Sequence, residues 1–277
     1  MVADTAKAVV DTLKEASGGA GWMMHHILDG RELDLEPFGT IHFPEWHLFG
    51  VDISITKHVV FLWLAFLIVF LVFKSVSNSY KKSLVPRGFA NFLEVLIVFV
   101  RDDIAKVTIG EKYKKYVPYL LTVFFFILTC NLLGLVPYGN TATSNINVTA
   151  TLAVFSFFLI QAGGMKKYGV FGYFKAMLPH GVPVVFLPVL FVVEFIGLFT
   201  KPFALAVRLF ANMIAGHTVI FSLIGLIFIL HSYFVAPVSV AFALFIELLE
   251  ILVAFIQAYI FTILTALFVG MAMHLEH

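Results

Sequence analysis

Residues 182–230 read VPVVFLPVLFVVEFIGLFTKPFALAVRLFANMIAGHTVIFSLIGLIFIL, an almost unbroken apolar run that carries three charged side chains, Glu194, Lys201 and Arg208. At 1.5 Å per residue this run makes ~73 Å of helix, against a hydrocarbon core of ~30 Å. One upright span cannot hold it. Either the chain breaks near Thr200-Lys201-Pro202 into two spans, or it forms one long, strongly tilted helix. Arg208 is the residue that demands an explanation. Near a bilayer centre an arginine costs at least ~2.5–3.5 kcal/mol, and its guanidinium cannot discharge by losing a proton. Ala204, Ala211 and Ala215 fall on or near its helical face, so a second helix can come close to the cation. A structural counter-ion to a buried carboxylate is the plain alternative for Arg208. For Glu194 and Lys201, placement near a membrane surface competes equally with a role in a site.

Composition sets the class. Of 277 residues 61% are hydrophobic and 13% charged, where soluble domains run nearer half and a quarter. The chain reads as an all-α polytopic membrane protein. A net charge of +1 gives no footprint for nucleic acid. The single cysteine, Cys130, excludes an intramolecular disulfide and a Cys-based metal cluster, and no cofactor motif is present.

Residues 1–52 form an acidic head: nine Asp/Glu face Lys7, Lys14, Arg31 and, just past the boundary, Lys57. A short amphipathic helix is expected around Ala6–Ala16. His25, His26 and Asp29 resemble metal ligands at a glance, but without a closed set of further ligands they read as a solvated loop. Residues 53–277 form a membrane-embedded helical domain, with a first span at about Thr56–Phe73. The Lys74, Lys81, Lys82 and Arg87 cluster that follows places that end in the cytoplasm and the N-terminus outside. Residues 88–109 gather their charges in the second half and read as an interfacial helix or shallow hairpin. Further spans are expected at about Tyr116–Val136 and Ile146–Ala162. The loop between them, Pro137–Asn147, lacks Lys and Arg as an outside loop should, and Gly163-Gly164 and Gly169 mark an inside loop. Residues 182–272 then make a hairpin of two long arms, for about five crossings in all, with a cytoplasmic C-terminus.

In an antiparallel hairpin turning near Ser232-Tyr233, residues of equal depth share a constant index sum. His217 is then level with Glu250, Asn212 with Ala254, and Arg208 with Gln257, while Glu247, Glu250, Ala254, Gln257 and Phe261 share one face of the second arm. Gln257 can hydrogen-bond Arg208 without neutralising it. His217 and Glu250 form a titratable pair closer to the turn, with Glu247 one helical turn away as the competing partner. Groups that change charge beside a permanent cation are what a proton path with a barrier requires. The remaining histidines, His58, His231 and His274, look scattered.

The run Lys201-Pro-x5-Arg208-Leu-Phe-Ala-Asn212-Met-x-Ala-Gly216, then Glu250-x6-Gln257-Ala-Tyr-Ile-Phe-x-x-Leu-Thr265, closely resembles the F-type ATP synthase subunit a family. With Ser144-Asn-Ile-Asn147-Val-Thr149 and the span order, the resemblance covers most of residues 55–277 and leaves out the acidic head. It implies a stator subunit in a bacterial plasma (inner) membrane, forming two proton half-channels against a rotating c-ring. Subunit b of the stator stalk, the other Fo and F1 subunits and lipid are the implied neighbours. Arg208 matches the family's essential arginine, the partner of the c-subunit carboxylate. Asn212, Gln257 and Glu194 match polar positions of the ion path, and Lys201 and Asn147 lie in the matched motifs. The His217 and Glu250 positions are exchanged relative to many bacterial members, an order that resembles the mitochondrial subunit. Ala211 stands where Gly is usual, and Asn145 where an Asp is common. The competing class is an ion-coupled secondary transporter, for which the chain shows no internal repeat.

Overall fold

The computed structural model describes residues 30, 32–34, 39–44, 47–48, 51–52, 54–82, 88–136, 139–176, 183, 186–230 and 234–274. The expected Ala6–Ala16 helix, the His25, His26 and Asp29 group and the Ser232-Tyr233 turn lie outside the described residues. Helices dominate. The acidic head contributes two short antiparallel pairs, β1 (Glu32–Asp34) with β2 (Thr40–His42), and β3 (His47–Leu48) with β4 (Val51–Asp52). The helices follow as α1 (Lys57–Lys82), α2 (Phe89–Val98), a π-helical segment (Phe99–Lys106), α3 (Val107–Ile109), and a 3-10 segment (Gly110–Lys115). Next come α4 (Val117–Gly134), a 3-10 turn (Ala142–Ser144), α5 (Ile146–Tyr168) and α6 (Val170–Ala176). The last two, α7 (Leu187–Leu230) and α8 (Val235–Met273), have 44 and 39 residues.

Among the described residues five helices, α1, α4, α5, α7 and α8, are long and apolar enough to cross a membrane. The α2-to-α3 stretch is not one of them, as its charged second half predicts. There Arg101 holds Asp102 through two hydrogen bonds of 2.9 and 2.7 Å, which keeps that exposed carboxyl below the usual range. The long run does not break at Lys201-Pro202. Pro202 sits inside α7, so the alternative of one long helix is the one adopted. About 66 Å of helix in a ~30 Å core must lean by roughly 60° or carry its ends outside.

Two boundaries differ from expectation. α1 continues nine residues beyond Phe73, with Lys74 curling back over the Phe70 ring at 5.9 Å, so the charge rides on the helix rather than ending it. Gly163 and Gly164 are helical, not a loop. They are small because of what they touch: a Cβ at Gly164 would overlap the Tyr173 ring and lie 3.0 Å from the Ala272 carbonyl oxygen. The break comes instead at Gly169, whose φ of 73° only glycine adopts cheaply.

The chain divides into two compact units. One takes Met1–Leu64, Cys130–Asn145 and Ala211–Ala254; the other takes Ala65–Thr129, Ile146–Phe210 and Phe255–His277. Each draws on parts of α7 and α8. The second unit has an apolar core that includes Leu120, Phe124, Ile127, Leu205, Leu209, Phe261 and Val269. Its polar contacts include Tyr119 Oη with Ser156 Oγ at 2.9 Å and Tyr168 Oη donating to the Met273 carbonyl at 3.2 Å. The first unit is built otherwise. Its buried apolar side chains, among the described residues, do not exceed Met213 in size, whereas Lys57, His58, Asn131, Asn140, Thr141, Thr143, Ser144, Ser239 and Glu250 are all buried. Lipid tails are as apolar as leucine, so burying leucine gains little between helices in a bilayer, and polar side chains take over as the specific contacts.

Candidate functional site

The polar interior of the first unit converges on α7 and α8. His217 Nδ1 lies 3.5 Å from Glu250 Oε2. On the other side of the ring, Nε2 meets Thr141 Oγ1 at 2.5 Å. Both oxygens of Glu250 are buried without a hydrogen bond among the described residues. A buried charge without hydrogen bonds costs several kcal/mol, and the neighbouring imidazole is the group that can offset it by taking up a proton.

Gly216 explains how the carboxyl reaches the ring. A Cβ there would overlap Glu250 Oε1 and stand 2.7 Å from Cδ, so only glycine leaves the seat open. Gly134 does the same for the loop, since a Cβ on it would overlap Thr141 Oγ1. The loop segment is held from two sides. Thr143 Oγ1 donates to Asn131 Oδ1 at 2.7 Å, and Ser144 Oγ donates to the Thr141 carbonyl at 2.7 Å while lying 3.1 Å from His58 Nε2. The equal-depth pairing of His217 and Glu250 is thus realised as contact. Glu247 is half-buried and is not the residue against the ring.

Sequence reasoning missed the other half of this cluster. His58, which looked scattered, is 2% exposed and shares the unit with His217. Thr141, Thr143, Ser144 and Asn131 were not singled out for it. The signal was there in Thr141-Ala-Thr143-Ser144-Asn145, a run of short hydroxyl and amide side chains in a loop without Lys or Arg, beside two long apolar helices.

In the second unit a cavity of about 220 Å³ is lined by Glu194 and Lys201 of α7, Gln161 of α5, Tyr173 of α6 and His274 after α8, among apolar neighbours. Lys201 Nζ stands 5.4 Å from the centre of the Phe268 ring, a cation–π distance. Glu194 and Lys201, seven residues apart, therefore do share a face and a cavity. Gln257 is 1% exposed, while Arg208 is exposed and has no ion-pair partner among the described residues. Residues of equal depth thus differ in exposure, because equal depth is not the same as facing. Along α7 the positions Ala204, Val207, Arg208, Ala211, Asn212 and Ala215 are exposed, and Leu205, Ala206, Leu209 and Met213 are buried. Small residues with one cation and one amide make an open helix stripe. Asn147, in the first turn of α5, is also exposed.

Comparison with known proteins shows the family. The family described as ATP synthase A chain matches residues 59–270. ATP synthase subunit a of Chloroherpeton thalassium is 58% identical over 258 residues, covering 92% of this chain and 77% of the relative. That of Pelodictyon phaeoclathratiforme is 52% identical over 285 residues, covering 99% and 84%. That of an Anaeromyxobacter species is 49% identical over 283 residues, covering 90% and 69%. Relatives of this similarity are bacterial, five helices suit a multi-pass membrane protein, and a subunit of an ATP synthase works within a complex of other subunits rather than as an enzyme alone. On the match across 59–270 and the identity along nearly its whole length, the chain belongs to the ATP synthase subunit a family.

Proposed function

We propose that this chain is the stator subunit of the Fo motor, carrying protons through two half-channels past a rotating c-ring and so coupling proton flow to ATP synthesis. The observation that carries the reading is the pair of half-buried His217 and buried Glu250 at 3.5 Å, set in a polar interior that also holds Thr141, Ser144 and His58. Such a pair gives and takes one proton without exposing a bare charge to lipid. The Glu194, Lys201, Gln161 and His274 cavity supplies the second polar route. Along α7 Arg208 stands between Glu194 and Lys201 on one side and His217 on the other. On its open, small-residue stripe it faces the c-ring carboxylate, and being permanently charged it bars direct proton leakage. Asn212 shares the stripe, and Gln257 and Glu247 line the second arm.

By the excess of Lys and Arg, the basic clusters at the end of α1 and in 163–181 are cytoplasmic, with the N-terminus outside a bacterial plasma membrane. Subunit b of the stator stalk and the c-ring are the direct partners. Arg208→Gln is expected to abolish ATP synthesis and ATP-driven proton pumping in membrane vesicles while the complex still assembles. Arg208→Lys fails as well, because an ammonium can discharge in apolar surroundings and lacks the planar fork. Normal pumping by either variant overturns the assignment of Arg208.

A further inference from the structure

We infer that Thr141 is a positioning residue for proton transfer at His217, and that His58 acts through Ser144 to hold it there. The inference rests on reading His217 and Glu250 as the proton path.

The donors and acceptors can be assigned one by one. Ser144 has one hydroxyl hydrogen, and it goes to the Thr141 carbonyl at 2.7 Å. The contact between Ser144 Oγ and His58 Nε2 at 3.1 Å then requires the ring to donate, so Nε2 of His58 carries its hydrogen. The same Thr141 carbonyl accepts the Ser144 backbone N–H at 2.9 Å. With Thr143 tied to Asn131, the turn is fixed from α1 on one side and α4 on the other. What that fixed turn presents is the Thr141 hydroxyl, 2.5 Å from His217 Nε2 and seated over Gly134.

A hydroxyl both donates and accepts, so it serves this ring in both of its states. When His217 is neutral with its hydrogen on Nδ1, facing Glu250, the Thr141 hydroxyl donates to Nε2. When the ring is protonated, the hydroxyl turns and accepts from Nε2–H. Transfer then moves the proton from Nδ1 to Glu250 Oε2: an imidazolium and a carboxylate become a neutral imidazole, with hydrogen on Nε2, and a carboxylic acid. At no stage is Nε2 buried without a partner, which would cost ~1–3 kcal/mol. A methyl in place of the hydroxyl removes that service and leaves the volume unchanged.

The test uses inverted membrane vesicles containing the whole ATP synthase, with assembly checked by ATP hydrolysis and proton flux read by fluorescence quenching. Thr141→Val is expected to lower flux about tenfold, since small errors in proton-transfer geometry carry penalties of that order. Thr141→Ser, which keeps the hydroxyl, stays within about twofold of the unaltered complex. His58→Ala lowers flux severalfold, His58→Gln, whose amide still donates to Ser144, does not, and His58→Ala adds nothing on a Thr141→Val background. Should Thr141→Val prevent assembly, the contrast between His58→Ala and His58→Gln decides alone. Full flux in Thr141→Val, equal loss in Thr141→Ser, full flux in His58→Ala, or multiplying losses in the double variant would each overturn the inference. Glu250→Gln separates the two levels. If it blocks flux while Thr141→Val does not, only the positioning role is wrong; if it conducts freely, the proton-path reading itself is wrong.

Discussion

Gly216→Ala sets stability and function in opposition. Alanine in a helix interior is favoured over glycine by ~0.8–1.0 kcal/mol, so α7 itself gains. The added Cβ, however, stands 2.7 Å from Glu250 Cδ and 3.2 Å from Cγ, where carbon atoms prefer ~3.5–4.0 Å. The carboxyl must retreat by roughly 1 Å, at a rotamer cost of ~0.5–1.5 kcal/mol that nearly cancels the helix gain. Assembly is therefore expected to be unchanged. The separation of Glu250 Oε2 from His217 Nδ1, 3.5 Å before the change, grows to about 4.5 Å. Proton transfer needs an approach to ~2.6–3.2 Å, which a slight tightening gives from 3.5 Å but not from about 4.5 Å, and an error of this size costs up to ~100-fold. Proton flux in vesicles should fall between about tenfold and a hundredfold. Gly197→Ala on the same helix is the control, because its Cβ would meet nothing within 4 Å, and it should leave flux intact. Flux within about twofold of the unaltered complex in Gly216→Ala, with the protein present at normal level, would refute the claim that Glu250 must touch His217.

Two further outcomes test the same chemistry. Exchanging the pair, His217→Glu with Glu250→His, should restore a substantial part of the flux that either single change removes, because the level needs one imidazole and one carboxylate in either order; losses that simply combine would mean independent roles. The carried ion is expected to be H⁺, since a His level with a Glu suits proton exchange and the imidazole offers no advantage to a hard, oxygen-seeking cation; activity that requires added sodium and survives a protonophore would contradict this.

The long arms show why depth was legible. Polar residues in an apolar helix are costly, so their spacing carries information, and an antiparallel hairpin converts index sums into depth. That is how His217 met Glu250 on paper before it met it at 3.5 Å. Facing is another matter. Arg208 and Gln257 are level by the same rule, yet one is exposed and the other buried, because rotation about each helix axis depends on all the neighbours at once. Gly163-Gly164 misled for a related reason: glycine marks a turn when φ demands it and a close approach when another helix does, and one sequence cannot say which.

The sequence alone determined the class, the long arms, the cation and the titratable pair, because each follows from local cost: charge against lipid, length against bilayer thickness, period against helix. Only the tertiary structure decided that His58 and Thr141 belong with His217, and that Glu250 rather than Glu247 reaches the ring. His58 and Ser144 are 86 positions apart, and Thr141 and His217 are 76 apart. No periodicity spans such gaps. What joins these residues is the need of every buried polar group for a partner, and that need is met in space, not along the chain.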